Sequence, residues 1–309
     1  MIFLNIPRKN GNTKPVGSNT MKIRQNLHIH SSHSCDSACA TIKDIQREML
    51  DYGMTEFGLS DHVHSAFNLC DIASSRNDFD VYATSPCFHF GIEATCMAKW
   101  ECDAIAAGNY KRQGDDPVYG LRYAELPMET PELMLGITEA EIQKYHIEYV
   151  IGGTHWPSIG TDDPEKLYED NFQQMLFLIR HPLVDILAHP WYDIEHSIGG
   201  MHVHRPGAQR DREAFLHIPD RMNEQLGAEL VKFGKCAEIN ISMFQDNRRP
   251  EEARRKYWRI LEDWRDAGVR FTFGNDLHAA HSCKECLALM EQLLEAHGFR
   301  EEHFKMLFE

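Results

Sequence analysis

Short runs of apolar residues alternate along the chain with stretches whose apolar positions recur every three to four residues. The short runs are rich in β-branched and aromatic residues, as is typical of buried strands, and the spaced stretches are typical of amphipathic helices. The runs predict seven strands, over residues 23–30, 56–62, 87–93, 147–155, 184–190, 236–242 and 269–276. The spacing predicts helices over 41–53, 163–179, 250–267 and 282–296. Thr41 is the expected N-cap of the first helix and Gly53 its stop.

This strand-then-helix order predicts an α/β fold in which parallel strands are wrapped by helices. Seven such units between residues 22 and 309 indicate one TIM-like barrel in a single domain. Residues 1–21 are expected to form a flexible N-terminal tail. Two stretches, 94–146 and 192–218, are long for connections between a strand and a helix. We interpret them as long βα-loop insertions, which often carry function.

Composition narrows the class of protein. The 309 residues are 42% hydrophobic and 26% charged, and no apolar run approaches the ~18 residues that would span a bilayer, so a membrane partner is not expected. Nine cysteines, an odd number without a framework of pairs, favour a reduced, cytoplasmic protein. The net charge of −15 disfavours binding to nucleic acid. The sequence predicts no oligomeric state.

Metal-ligand side chains stand at or just beyond the ends of most of the predicted strands. Because the carboxyl ends of parallel strands share one face of a barrel, these side chains are expected to converge there. The set consists of His28, His30, Asp36, His62, Glu93, His155, His189, Asp276 and His278. Six imidazoles and three carboxylates together predict a site for several divalent metal ions.

Ordered motifs give the chain a family resemblance. "HIHSSHSCDS", "GLSDH", "GIE", "GGTHW", "ILAHP", "AEIN" and "FGNDLH", in this order, resemble the polymerase and histidinol phosphatase (PHP) family, most closely its histidinol-phosphatase-like phosphoesterases. The resemblance runs from about residue 22 to 295 and implies a distorted (βα)7 barrel with a trinuclear metal site. Three groups of ligands are implied: His28, His30, Glu93 and Asp276; Asp36, His62 and His278; and His155 and His189 with Glu93 bridging.

Charge balance agrees with phosphate chemistry at such a site. Three carboxylates, three divalent ions and a bridging hydroxide would leave it near +2, which matches a phosphate dianion. We therefore expect a metal-dependent phosphatase that acts on a small phosphomonoester, with L-histidinol phosphate as the candidate substrate and the metal-bridging hydroxide as nucleophile. The three ions can be Zn, Mn or Fe, and the sequence identifies no general acid.

Candidate substrate-binding residues are less clearly marked. The family pattern leads us to expect a phosphate-binding arginine near the sixth strand, but Arg248 and Arg249 come several residues late, and Arg205 is a rival. Trp156 and Trp191 directly follow predicted ligands and either wall the substrate pocket or pack the barrel rim. The remaining candidates are histidines near the site: His33, His64, His202 and His204.

Other functions remain open at this stage. A phosphodiesterase or 3'-5' exonuclease could use the same fold, although the acidic charge disfavours it. A metal-dependent amidohydrolase also begins with a His-x-His pair at a strand end, but it usually bridges its metals with a modified lysine, and no lysine ends any predicted strand. A non-enzymatic metal-dependent binding module is the fourth possibility.

Overall fold

A computed structural model describes residues 21–36, 38–109, 126–200, 208–246, 248–279 and 284–309. Its strands are β1 (Gln25–Asn26), β2 (Glu56–Val63), β3 (Phe88–Ala98), β4 (Leu133–Leu135), β5 (Tyr149–Gly153), β6 (Ile186–Leu187), β7 (Cys236–Asn240) and β8 (Arg270–Gly274). All seven predicted strands are therefore present, and β4, inside the first predicted insertion, is an addition.

The strands form a parallel sheet in the order β1-β2-β3-β5-β6-β7-β8, with β4 antiparallel on the outer end of β3. Backbone hydrogen bonds join the first and last strands: Leu27 N–H donates to Phe273 O at 3.1 Å, and Asp276 N–H donates to His28 O at 2.9 Å. The sheet thus nearly closes into a distorted TIM-like barrel, as the strand-and-helix order predicted.

Helices alternate with the strands. They are α1 (Ile42–Asp51), α2 (Leu69–Tyr82), α3 (Lys99–Ala106), α4 (Glu139–Lys144), α5 (Pro164–Arg180), α6 (Ile194–Ile198), α7 (Asp220–Phe233), α8 (Ser242–Gln245), α9 (Glu251–Asp266) and α10 (Lys284–Ala296). Local chemistry sets their starts: the Thr41 side chain accepts from Asp44 N–H before α1, and Asp163 accepts from Glu165 N–H ahead of Pro164 in α5. No helix among the described residues is long and apolar enough to cross a membrane.

Tyr149 fills the barrel interior below the carboxyl ends of the strands. It is 2% exposed, and its hydroxyl donates to the carbonyl oxygens of Leu27 at 2.7 Å and Leu59 at 2.6 Å. Gly91 makes room for it, since a Cβ there would lie 2.3 Å from the phenol ring. The ring therefore fills the barrel interior next to Gly91, two residues before Glu93 on β3.

The predicted insertions contain ordered elements as well as loops. Residues 94–146 include the end of β3, then α3, β4 and α4, and residues 192–218 include α6 and a short 3₁₀ helix at Ala214–His217. The predicted tail lies outside the described residues except for Met21, which is 4% exposed and belongs to the hydrophobic core. The rest of the tail stays a prediction.

Candidate metal centre

The nine predicted ligand residues come together at the carboxyl end of the barrel. Potential ligand atoms within 4.8 Å of one another define five overlapping groups. The groups are His30, Asp36, His62 and His278; His62, His64 and His155; His28, His30 and Glu93; His28, His189 and Asp276; and Glu93, His155 and His189. The segment after β1, the end of β2, the middle of β3 and the segments after β5, β6 and β8 each contribute to this cluster.

Glu93 lies at the centre of the cluster and is fully buried. Its Oε1 is 2.9 Å from His155 Nε2 and 3.0 Å from His189 Nε2. Its Oε2 is 3.0 Å from both His28 Nε2 and His62 Nδ1. One carboxylate is thus surrounded by imidazole nitrogens on both oxygens, which is the arrangement expected of a bridging ligand.

The donor set fits bound cations. His28 Nε2 and His30 Nε2 face each other at 3.1 Å, and two neutral imidazoles cannot both present lone pairs there without a proton or a cation between them. Asp36 Oδ1 is buried and, among the described residues, has no hydrogen-bond partner. Six imidazoles and three carboxylates are ligands suited to Zn, Mn or Fe.

The cluster perturbs the acidity of its members. Burial would raise the pKa of Glu93, but His28, His155 and His62 outweigh it and hold the pKa well below its usual range. For His62, by contrast, burial opposes protonation, yet the neighbouring Glu93 and Asp36 carboxylates raise its pKa to about 10. For His30, burial and the nearby His62 lower the pKa to about 4. Such strong mutual shifts are typical of functional sites.

Hydrogen bonds behind the cluster orient three of its imidazoles. Glu238 Oε1 lies 2.7 Å from His28 Nδ1, Thr95 Oγ1 lies 2.8 Å from His155 Nδ1, and the Asp276 carbonyl oxygen lies 2.9 Å from His278 Nδ1. In each case the outer nitrogen is engaged, so the Nε2 atom is directed toward the cluster. Thr95 stands two residues after Glu93 on β3, and the two-residue period of a strand puts both on the inner face.

The backbone is unusual at two of the predicted ligands. His189 has φ of 20° and Asp276 has φ of 50°, both positive, although neither residue is glycine. Trp191, close after His189, also has a positive φ, of 68°. Positive φ in non-glycine residues costs free energy and concentrates at functional sites, where it aims side chains that a regular strand would direct elsewhere.

The structure separates the substrate-binding candidates. Trp156 is 4% exposed and packs against the His64 and His155 rings beside the cluster. His33 Nε2 instead lies 2.8 Å from Asp78 on α2, and His33 belongs to none of the groups of potential ligands. Arg248 is exposed and donates to Asp246 on its own loop. His202, His204 and Arg205 lie outside the described residues.

Two of the candidates are buried and bonded to other parts of the chain. Trp191 is 0% exposed and donates its indole N–H to Asn223 on α7, which agrees with packing at the barrel rim. Arg249 is 2% exposed and holds Glu195 through two hydrogen bonds, at 2.6 and 3.0 Å. Its guanidinium also donates to the Met243 carbonyl, so Arg249 ties the loop after β7 to α6 and presents no open face to a substrate.

Residues other than the nine predicted ligands also lie beside the cluster. His64 is buried, stacks on His62 at 4.4 Å, and bonds Thr95 through Nδ1; its signal was the two-residue spacing from His62. Tyr192 packs its ring 5.3 Å from that of His189, and Arg210 Nη2 donates to the Tyr192 hydroxyl at 2.9 Å. Tyr192 thus contacts both Arg210 and the predicted ligand His189. Arg210 and His189 are 21 positions apart in the sequence, which gave no indication of this.

Comparisons with known proteins support the fold. No protein-family model and no curated protein matches the chain in sequence. Among solved structures, the chain is similar to histidinol phosphate phosphatase from Lactococcus lactis subsp. lactis, in complex with zinc, L-histidinol and phosphate. The TM-score is 0.52 at 14% identity, over 90% of this chain and 94% of the other. A proposed histidinol phosphatase from Listeria monocytogenes gives a TM-score of 0.53 at 10% identity, over 83% and 96%.

Proposed function

We propose that the chain is a metal-dependent phosphatase that hydrolyses a small phosphomonoester, with L-histidinol phosphate as the first candidate substrate. The observation that carries the proposal is the convergence of six imidazoles and three carboxylates around the buried Glu93. The fold shared with a histidinol phosphate phosphatase that holds zinc, L-histidinol and phosphate supports the choice of first candidate.

The chain's own residues would hold three divalent transition-metal ions. We assign His28, His30, Glu93 and Asp276 to one, Asp36, His62 and His278 to the second, and His155, His189 and the shared Glu93 to the third. When bound, such ions supply an acidified water as nucleophile and positive charge that stabilises the phosphoryl oxygens. The barrel holds the ligands rigidly, because each projects from a strand end or from a segment bonded to one.

Arg210 is the described arginine that we favour for contact with the substrate phosphate. It is partly exposed, and its guanidinium is fixed by the Tyr192 hydroxyl and by His196 Nε2 at 3.1 Å. Tyr192 in turn packs against His189, so the arginine is held at the edge of the cluster. A planar guanidinium suits the oxygens of a phosphate group. Arg205 remains a second candidate.

A reconstitution screen tests the proposal. Protein loaded with Zn, Mn or Fe would be given histidinol phosphate, other small phosphomonoesters, a phosphodiester and a cyclic amide, and kcat/KM would be compared. We expect phosphate release from monoesters that depends on the metal and is lost in Asp36→Asn. Preference for the diester would favour the phosphodiesterase alternative. Turnover of the amide alone would favour the amidohydrolase.

A further inference from the structure

A fourth carboxylate, which is itself buried, lies directly behind the predicted ligands. Glu238 on β7 is 1% exposed. Its Oε1 is 2.7 Å from His28 Nδ1, and its Oε2 accepts the backbone N–H of His189 at 2.7 Å and the side-chain amide of Asn240 at 3.2 Å. A single side chain therefore joins the segments that follow β1 and β6, each of which carries a predicted ligand.

The contact with His28 selects a tautomer. The carboxylate can only accept, so His28 Nδ1 must carry the proton. A neutral imidazole has one ring proton, and Nε2 is therefore left with a free lone pair. That nitrogen is the one that faces Glu93 Oε2 at 3.0 Å and His30 Nε2 at 3.1 Å, inside the cluster.

Strand β8 leaves space for this arrangement. A Cβ on Gly274 would lie 2.0 Å from Glu238 Oε1 and 2.5 Å from the His28 Cβ. No side chain can occupy that position without displacing the carboxylate or the imidazole. Three parts of the barrel therefore make the contact possible. Strand β7 carries the carboxylate, the segment after β1 carries the histidine, and Gly274 on β8 leaves the space between them free.

We propose that Glu238 is a positioning residue of the metal centre, which sets the tautomer of His28 and the backbone position of His189. The inference rests on the metal centre of the proposed function but not on the substrate. Carboxylates that accept the outer N–H of a ligating histidine fix its orientation, and their loss typically weakens metal affinity about 10–100-fold. Glu238 thus acts through the ligands and is not assigned as one.

Glu238→Gln is the sharpest test because the side chain keeps its shape while the hydrogen bond to His28 Nδ1 reverses direction. The His189 backbone N–H and the Asn240 amide are obligate donors, so the new amide oxygen must face them. The new NH₂ group then faces His28 Nδ1 and requires it to accept. The proton of His28 is then favoured on Nε2, and a metal ion must displace it in order to bind that nitrogen. Glu56→Gln is the matched control, since Glu56 is 2% exposed and lies at the start of β2, at the opposite end of the barrel.

Zinc affinity would be measured by competition with a chromophoric chelator, alongside the visible spectrum of the cobalt-loaded protein and the thermal unfolding of the metal-free protein. We expect Glu238→Gln to bind one metal equivalent 10–100-fold more weakly and to alter the cobalt spectrum. Glu56→Gln is expected to lower unfolding temperature while leaving affinity and spectrum unchanged.

Unchanged zinc affinity and cobalt spectrum in Glu238→Gln would overturn the proposal, as would equal weakening in Glu56→Gln. If Glu238→Gln does not fold, Glu238→Asp replaces it, because its carboxylate is withdrawn by about one C–C bond and must give the same weakening. These measurements need no turnover. A protein that hydrolyses no phosphomonoester yet shows the affinity loss would contradict the proposed function and support the role of Glu238.

Discussion

Glu93 is completely buried and has imidazole nitrogens around both of its oxygens, so its replacement is expected to affect more than one metal ion. Glu93→Gln keeps the side-chain volume but removes the charge shared by two proposed ligand groups. We expect the variant to lose close to two metal equivalents and on the order of 10²-fold or more in kcat, since even outer-shell partners of a metal site cost 10–100-fold. Elemental analysis after reconstitution and dialysis measures the first, and steady-state kinetics the second.

Asp36→Asn is the matched control for Glu93→Gln, because Asp36 belongs to one proposed group only. It contacts His62 Nε2 at 2.9 Å and His278, and we expect it to lose one equivalent. If Glu93→Gln lost no more metal than Asp36→Asn, the assignment of Glu93 as the shared ligand would be wrong.

Arg210 permits a test of phosphate capture at a single side chain. Removal of a charged, preorganised donor from a site shielded from water typically costs 10²–10³-fold in rate, and we expect a loss of about 10² in kcat/KM for Arg210→Ala. Arg248→Ala is the control, because Arg248 is largely exposed and bonds to Asp246 on its own loop. Equal kcat/KM in wild type and Arg210→Ala would transfer the role to Arg205 or to the metals themselves.

At the scale of elements, the segment after a 3₁₀ helix at Glu301–His303 closes the amino end of the barrel. The backbone N–H groups of Leu307 and Phe308 donate to the Glu56 carboxylate at 3.0 and 3.1 Å, and the Phe308 ring stacks on His89 at 3.6 Å. Deleting residues 305–309 strips the buried carboxylate of these donors, at ~1–3 kcal/mol for each buried group left unsatisfied. We expect a lower urea midpoint with little change in metal affinity, measured by circular dichroism.

Glu301→Ala provides the comparison for the deletion. Glu301 is exposed and pairs with Arg24 at 3.9 Å, a surface contact worth at most about 1 kcal/mol. A deletion variant no less stable than Glu301→Ala would show that the closing segment contributes nothing beyond a surface ion pair.

The sequence predicted helices and strands best where the apolar residues of the element follow a recognisable pattern. Stretches such as 56–62 (EFGLSDH) and 236–242 (CAEINIS) are short, combine apolar with polar positions and were predicted as strands, and the structure places β2 and β7 there. Helix α2 was missed because its buried positions, Ile72, Ser75 and Phe79, include a serine and lie among polar residues. Strand β4 was missed because only its pairing with β3 makes it a strand.

The sequence predicted the ligands of the candidate site but not the burial or the hydrogen bonds of the residues around them. Ligands at strand ends could be expected to converge because parallel strands share one face, and the structure brings all nine together. The burial of Trp191 and Arg249 could not be predicted from the sequence, because tryptophan and arginine are both common at pocket rims and on protein surfaces. Glu238 stands on a strand for which no ligand was expected, and only the three-dimensional contact with His28 reveals it.

At the scale of the whole molecule, metal loading is expected to control stability. The cluster concentrates carboxylates and imidazoles that are mostly buried, which is unfavourable when no cation balances them. Ions that bind only the folded state stabilise it by about 2.7 kcal/mol when present at 100 times Kd. We therefore expect a chelator to lower Tm by several degrees and added zinc to restore it, measured by calorimetry. A Tm insensitive to both would contradict a metal centre built into the fold.

The charge of the whole chain bears on the class of substrate. A net charge of −15 repels an extended polyphosphate, whereas the proposed metal centre, once loaded, would attract a small anion. We expect kcat/KM for histidinol phosphate or another small phosphomonoester to exceed that for a single-stranded oligonucleotide by at least ~10²-fold at low salt, where repulsion is screened least. The same metal-loaded preparation must be used for both substrates, with Asp36→Asn to subtract contaminating nucleases. An oligonucleotide hydrolysed faster than every monoester would replace the phosphatase with the exonuclease alternative, because the negative surface would then have failed to exclude the longer substrate.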